Sequence, residues 1–354
     1  MRALAELTTL RLGGRAERLV EARTEAGLVD AVREAGDHLL VLAGGSNVVV
    51  ADEGVPGTVV LVATRGVAER EEGVLEVQAG EPWEPFVARC VEAGLAGIEC
   101  LSGIPGSVGA TPIQNVGAYG QDVARTVREV RALDRSSGEV RSLTPAECEF
   151  SYRSSRFKRE PGRWVVLAVA FALARHDGGE SEPIRYPELA RALGVEVGER
   201  AALQDVREAV LALRRGKGMV VDPEDPDSVS VGSFFTNPVL SPDDFAALEA
   251  RVRERLGPDV SPPRFPEPDG RIKTSAAWLV ERSGIGRGFG LPGPVAVSTK
   301  HTLALTNRGG ATTAQLVALA RQIAAKVHAE LGVELVPEPV FVGHAWAALS
   351  APGD

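Results

Sequence analysis

LSGIPGSVGATPIQNVGAYGQ, residues 101–121, carries no charged side chain and has glycines at 103, 106, 109, 117 and 120. The stretch is too polar for a core and too rich in glycine for a helix, where each glycine costs about 1 kcal/mol against alanine. Loops this long are usually functional or disordered. In the first part, Gly103-Ile104-Pro105-Gly106-Ser107-Val108-Gly109, spaced glycines around one proline give a stiff backbone with open N–H groups. The second part, Gln114-Asn115-Val116-Gly117-Ala118-Tyr119-Gly120, offers amide donors and acceptors but no charge. A long structural Ω-loop is one reading. A wrap around a buried polar cofactor is the other, and it accounts for the missing charge.

Upstream, His38–Ala43 reads as a buried strand that runs directly into Gly44-Gly45-Ser46-Asn47. Successive N–H groups unobstructed by side chains form a nest for a phosphate or pyrophosphate. The pattern is not GxGxxG opening a helix, because Val48–Val50 continue as a strand. A tight strand-to-strand turn explains the same four residues equally well. Around these loops the spacing predicts a helix over Thr24–Gly36 capped by Thr24, strands over Thr58–Ala63 and Val74–Ala79, and a helix over Trp83–Ala93. A hairpin follows, Val127–Asp134 and Glu139–Leu143 turning at Ser136-Ser137-Gly138, and then a long buried strand, Trp164–Ala174.

A polar connector, Arg175–Glu182, marks a change of composition, and a linker is expected near 175–200. Beyond it, helices are predicted over Leu203–Arg215, Ser241–Leu256 (capped by Ser241) and Thr312–Leu331. Asp222–Asp227 and Pro262–Gly270 read as loops, and Val333–Val342 as a closing strand broken by Pro337 and Pro339. The class is α+β: a mixed N-terminal half, then a smaller α/β domain.

The chain's 354 residues suggest two or three domains, and 44% hydrophobic with 25% charged residues is an ordinary globular balance. A net charge of -9 argues against a broad grip on nucleic acid. The longest apolar run, Trp164–Ala174, falls short of the ~20 residues a spanning helix needs. MRALAELTTLRLGG lacks the apolar run of a signal peptide. Cys90, Cys100 and Cys148 show no CxxC spacing and read as reduced thiols. The expectation is a cytoplasmic protein with no membrane insertion and no metal, since the five histidines lack ligand spacing as well.

Four groups have chemistry to offer. Arg153, within Ser151-Tyr152-Arg153-Ser154-Ser155-Arg156-Phe157-Lys158, suits a carboxylate or phosphate, although a solvated basic turn is the plain alternative. Ser233, between a glycine and two phenylalanines, suits proton donation in a dry pocket or simply a turn; it is not a GxSxG elbow. Glu338 stands between two prolines in an apolar strand and either reaches the surface or serves a site. Lys217, past a helix end, reads by itself as a complement to the helix dipole.

LAGGSNVVV, SGIPGSVGATPIQNVGAYGQ, SYRSSRFK, GSFFTNPV, KTSAAWLVE, HTLALTN and VPEPVFVG occur in one order between about Thr9 and Gly343. In that order the chain closely resembles the UDP-N-acetylenolpyruvoylglucosamine reductase (MurB) family of flavoproteins. The resemblance implies an FAD-binding domain of the vanillyl-alcohol-oxidase-like (PCMH) type over 9–180, in two lobes. It implies a linker and substrate-closing loop over 181–204, a MurB-type substrate domain over 205–332, and a strand returning to the active site over 333–354 with a tail. It assigns Gly44, Gly45, Ser46 and Asn47 to the FAD pyrophosphate. Gly103, Ile104, Pro105, Gly106, Ser107 and Gly109, with Gln114, Asn115 and Gly117, would line the rest of the cofactor.

By the same resemblance Ser233 is the proton donor, and Arg153 and Glu338 bind and polarise the substrate carboxylate. Tyr152, Tyr186, Lys217, Asn237 and His301 are substrate contacts, Tyr186 lying on a mobile loop that closes over a diphosphate. FAD would be held non-covalently, since no histidine stands beside Gly44–Asn47. NADPH would be the co-substrate, and the enzyme a monomer reducing an enolpyruvyl nucleotide-sugar in peptidoglycan precursor synthesis. An enol ether accepts electrons poorly unless its carboxylate is polarised, a task for the fixed donor fork of arginine. Serine is a weak acid, so a nearby cation or water chain should assist Ser233, and Lys217 is the candidate. A flavin-dependent oxidase and a catalytically silent nucleotide-sugar sensor are the competing readings. GSFFTNPV and VPEPVFVG argue against the first, and the presence of Arg153, Ser233 and Glu338 against the second.

Overall fold

Valine-rich runs form the strands, and what covers them decides how continuous those runs are. In a computed structural model that describes residues 2–346, the chain starts β1 (Ala16–Ala22), α1 (Glu25–Ala35), β2 (Leu39–Leu42), β3 (Val48–Val50) and β4 (Val55–Val62). β1 and β2 flank β4 in a parallel sheet, and α1 supplies the crossover that parallel strands require. Thr24 caps α1, its hydroxyl accepting from the Gly27 N–H at 3.1 Å.

There follow β5 (Val67–Glu71), β6 (Val74–Gln78), α2 (Trp83–Glu92), the short pair β7 (Gly117–Ala118) and β8 (Gln121–Asp122), β9 (Val127–Asp134), β10 (Glu139–Leu143), α3 (Pro145–Cys148), α4 (Arg156–Arg159) and β11 (Trp164–Ala172). An antiparallel sheet runs β10-β9-β11-β6-β5. β11 is its central strand and is buried from Val165 to Phe171, so it reads as one apolar run instead of alternating. Trp83, Phe86 and Phe171 pack with ring centroids 5.5–5.9 Å apart. Trp83 Nε1 donates to the Leu101 carbonyl at 3.1 Å, which fixes the entry to the uncharged loop.

Residues 175–200 contain α5 (Pro187–Leu193), and α6 (Leu203–Gly216) comes next. This stretch is folded: Ser181 N–H bonds to Ala201 O and Ile184 N–H to Glu199 O, both at 2.8 Å. Ile184, Leu189 and Ala190 pack against Val206 and Val210 of α6. The described residues 2, 16–45 and 55–220 make one compact unit.

The second unit holds residues 3–15, 46–54 and 221–346. Its elements besides β3 are β12 (Ser230–Ser233), β13 (Val239–Leu240), α7 (Pro242–Leu256), β14 (Phe265–Pro266), β15 (Ile272–Lys273), α8 (Ala276–Arg282), β16 (Val295–Val297), β17 (Ala304–Asn307), α9 (Thr313–Leu331) and β18 (Val340–Val342). A sheet ordered β12-β17-β16 packs on α9, which buries Leu316, Ala320, Ile323, Val327 and Leu331 at helical spacing. The strand expected over Val333–Val342 is shorter, only β18, paired in parallel with β3. The prolines lack donors, and residues 336–338 bond to 234–236 through Thr236 N–H to Val336 O at 3.0 Å and Glu338 N–H to Phe234 O at 2.9 Å. The loop expected over Pro262–Gly270 contains β14, paired with β15. The expected tail lies outside the described residues from 347 onward.

Candidate active site

In the first unit the two glycine stretches meet backbone to backbone. A Cβ on Gly44 would stand 2.6 Å from Gly106 Cα, and one on Gly109 2.5 Å from Ala79 Cβ, so only glycine allows the approach. The N–H groups of Gly44, Gly45, Gly106 and Ser107 have no partner among the described residues. Ser107 Oγ is buried and lacks one too. Unused donors and a buried hydroxyl normally mark a missing ligand or water. Their chemistry, neutral donors around open backbone, fits the pyrophosphate of FAD. Glu84, in the first turn of α2, accepts from the Gly103 N–H and pairs with Arg207 of α6 at 2.5 Å. Ile104 and Pro105 are half-buried between these anchors.

Asn115 braces the second part of the loop, its Oδ1 accepting from Ala124 N–H at 3.1 Å and its Nδ2 donating to Ser151 O at 3.2 Å. Gln114, beside it, is half-buried. Asn115, Tyr119 and Arg153 have left-handed backbones, φ 46°, 48° and 52°. Such residues cost about 1–3 kcal/mol each and gather at functional sites. Arg153 is half-buried; its guanidinium donates to Gly117 O at 2.6 Å and lies 5.5 Å from the ring centroid of exposed Tyr152.

Beyond Gly117 lies an aromatic and charged cluster. Tyr119 packs edge-on to Tyr186, centroids 5.4 Å apart, and Lys217 Nζ lies 5.5 Å from the Tyr119 centroid. Lys217 pairs with Glu188 at 2.7 Å. Burial pushes the Tyr119 hydroxyl up to about 12 and lowers the pKa of the Arg214 guanidinium. Arg214 donates to Met219 O at 2.8 Å, while its Nε has no partner among the described residues.

The second unit carries the other reactive groups. Gly232, at φ 75°, turns β12 into Ser233. Phe234 and Phe235 are fully buried behind it, and Phe234 N–H is bonded to Leu303 O at 2.7 Å. Because Glu338 N–H bonds to Phe234 O, the hydroxyl residue and the carboxyl residue occupy adjoining, pinned backbone. Asn47 joins them: its carbonyl accepts from Val340 N–H at 2.9 Å and its amide reaches Glu338 O at 3.5 Å. Ser46, half-buried, precedes it. Asn237 Oδ1 accepts from Ala276 N–H at 3.0 Å, and His301 N–H donates to Ser298 Oγ at 3.2 Å. No cluster of metal-ligating side chains occurs among the described residues, and none of their helices is long and apolar enough to cross a membrane.

So Ser233, Glu338, Asn47, Asn237 and His301 belong to one unit, and Arg153, Tyr152, Tyr186, Lys217 and the 103–117 loop to the other. Sequence reasoning gave no role to Glu84, Glu188 or Arg214. A signal for Arg214 was present: Leu203, Val206, Val210 and Arg214 form one buried helical stripe, so an arginine continues an apolar face. Asp227 was also missed. It is buried and accepts from Thr299 N–H at 2.8 Å, Thr299 Oγ1 at 2.6 Å and Arg308 at 2.5 Å.

Comparisons agree with this layout. Residues 16–144 match the family model of an FAD binding domain, and residues 224–342 that of the UDP-N-acetylenolpyruvoylglucosamine reductase C-terminal domain. A UDP-N-acetylenolpyruvoylglucosamine reductase of Streptomyces coelicolor is 60% identical over 96% of this chain and 89% of its own. One from Thermobifida fusca is 57% identical over 96% of both. Among solved structures, the reductase from Thermus caldophilus aligns with a TM-score of 0.66 over 96% of this chain and 97% of that one, at 24% identity, a likeness of fold.

Proposed function

This chain belongs to the UDP-N-acetylenolpyruvoylglucosamine reductase family, and from that membership we propose how its residues divide the work of reducing UDP-N-acetylglucosamine enolpyruvate to UDP-N-acetylmuramate. Bound FAD supplies the two-electron relay between NADPH and the enolpyruvyl ether. Gly44 to Asn47 and the 103–117 loop hold it, chiefly through backbone N–H groups. Arg153 meets the substrate carboxylate with a guanidinium oriented by Gly117 O and the Tyr152 ring, and stabilises the charge that grows there. Glu338 shares a proton with the same carboxylate. Ser233 delivers a proton to the carbon that has become electron-rich. Tyr186, Lys217, Asn237 and His301 hold the nucleotide-sugar.

By role the chain divides into 9–180 for FAD, 181–204 for the closing loop, 205–332 for substrate and 333–354 for the returning strand and tail. The bounds of the compact units are different ones. The reading includes a monomer acting in the cytoplasm, a compartment that suits three free, buried thiols.

One observation carries the assignment: Glu338 N–H is bonded to the carbonyl of Phe234, the residue after Ser233. The segments that carry the proposed proton donor and the proposed carboxylate partner are thus tied to each other by backbone bonds around an isolated bridge between Phe235 and Pro337, which supports the reading. Ser233→Ala should leave reduction of the flavin by NADPH nearly intact and slow its reoxidation by the enolpyruvyl nucleotide by ~10²–10⁴. Anaerobic stopped-flow absorbance separates the two half-reactions. A loss below ~10-fold would remove Ser233 from the donor role.

A further inference from the structure

Lys217 already has an anion. Its Nζ lies 2.7 Å from Glu188 Oε2, and the same ammonium faces the Tyr119 ring on which Tyr186 rests. Tyr186 and Glu188 are two residues apart at the start of α5. One short stretch therefore places both an aromatic ring on Tyr119 and a carboxylate on Lys217. The base of that stretch is fixed by the Ser181–Ala201 and Ile184–Glu199 bonds, and Leu189 and Ala190 are buried. The tip is different: Tyr186 is 41% exposed, and the Lys217 and Glu188 side chains are 29% and 36% exposed. A pair this open to water contributes little to stability, so a stronger anion can replace it.

We propose that Glu188 is a stand-in for the diphosphate of the nucleotide-sugar: it occupies Lys217 in the free enzyme and gives the ammonium up when a nucleotide diphosphate arrives. The proposal rests on the reading that Lys217 and Tyr186 contact that diphosphate. A diphosphate brings two negative charges where Glu188 brings one, so the exchange favours the ligand. A nucleoside without phosphate gains nothing from Lys217 and leaves the pair in place. Glu188 is thus a positioning residue that sharpens selection for the diphosphate, at the expense of some affinity. Its release also frees the start of α5, which carries Tyr186, to follow the ligand.

Calorimetric titration of the FAD-loaded enzyme with UDP, and with uridine as the probe lacking phosphate, tests this. Glu188→Gln should bind UDP about 3–10-fold more tightly and uridine no differently. In a Lys217→Gln background the same substitution should change UDP affinity less than twofold, because the coupling runs through Lys217. Glu188→Asp, which keeps the charge, should stay closer to the parent than Glu188→Gln does. If Lys217→Gln weakens UDP binding but Glu188→Gln leaves it unchanged or weaker, the stand-in role is wrong and the diphosphate contact survives. If Lys217→Gln leaves UDP affinity unaltered, the contact itself is wrong and the stand-in falls with it.

Discussion

Asp134 ends β9 against an arginine that uses two of its nitrogens. Arg163 donates from Nε to Oδ1 at 3.1 Å and from Nη2 to Oδ2 at 2.7 Å, and Ser136 adds its N–H and hydroxyl. The Arg163 bonds, with those of Ser136, hold the Asp134 carboxyl far below the ordinary range although burial opposes them. A depressed folded pKa stabilises above the unfolded value of ~3.9 and is lost as pH falls through the folded one. Asp134→Asn should therefore cost about 1–3 kcal/mol at pH 7, and the gap to the parent should be smaller at pH 3. Urea melts at the two pH values read this directly. The cysteines give a second expectation. Burial pushes the Cys90 and Cys148 thiols up to about 12, and Cys100 higher. A disulfide reagent at pH 8 should label none of the three until denaturant is added, since the thiolate is the reactive form. Neither environment is readable from sequence: Asp134 meets Arg163 only because β11 pairs beside β9.

Elements whose signals are local were legible, and those made by pairing were not. Thr24, Ser241 and Thr312 each cap the helix that follows, because a cap depends on residues within one turn. The hairpin at Ser136-Ser137-Gly138 follows equally from its own turn and is paired as expected. β14 and β15 are two residues each and exist only through pairing, β14 with β15 and β15 also with β13. The returning chain at 336–338 looks like a continuous strand until its prolines break it and the Phe234 carbonyl takes the Glu338 N–H. The α9 cap offers the cleanest test at this scale. Thr312 Oγ1 accepts from Gln315 N–H at 3.2 Å, and Gln315 Oε1 accepts from Thr312 N–H at 2.9 Å. Thr312→Ala breaks half of this reciprocal pair and should destabilise by ~1 kcal/mol in a chemical melt, with Thr312→Ser recovering most of it.

At the scale of the molecule, two compact units with separate cores mean that melting need not be a single two-state event. A ligand that binds only folded protein stabilises by mass action, about 2.7 kcal/mol at a hundred times its dissociation constant. If the 103–117 loop holds FAD as proposed, the cofactor should raise the transition of the unit that contains this loop, and denaturation should release it unaltered, leaving colourless protein and a yellow supernatant. What the sequence could not foretell was which loop groups stay unsatisfied without the cofactor. Ser107 is the sharpest case: among the described residues its buried hydroxyl has no partner, and neither do its own N–H and that of Gly106. In apoprotein that hydroxyl is a cost, because a buried polar atom without a partner keeps its desolvation penalty. On the proposed reading, bound FAD would give it a hydrogen-bond partner. Ser107→Ala should thus leave the apoprotein as stable as the parent or slightly more so, yet weaken FAD about 5–10-fold, the effect of one such bond. Calorimetry of apo and FAD-saturated protein separates the two signs. A variant that melts early in both forms would mean that Ser107 serves the protein's own packing and not the cofactor.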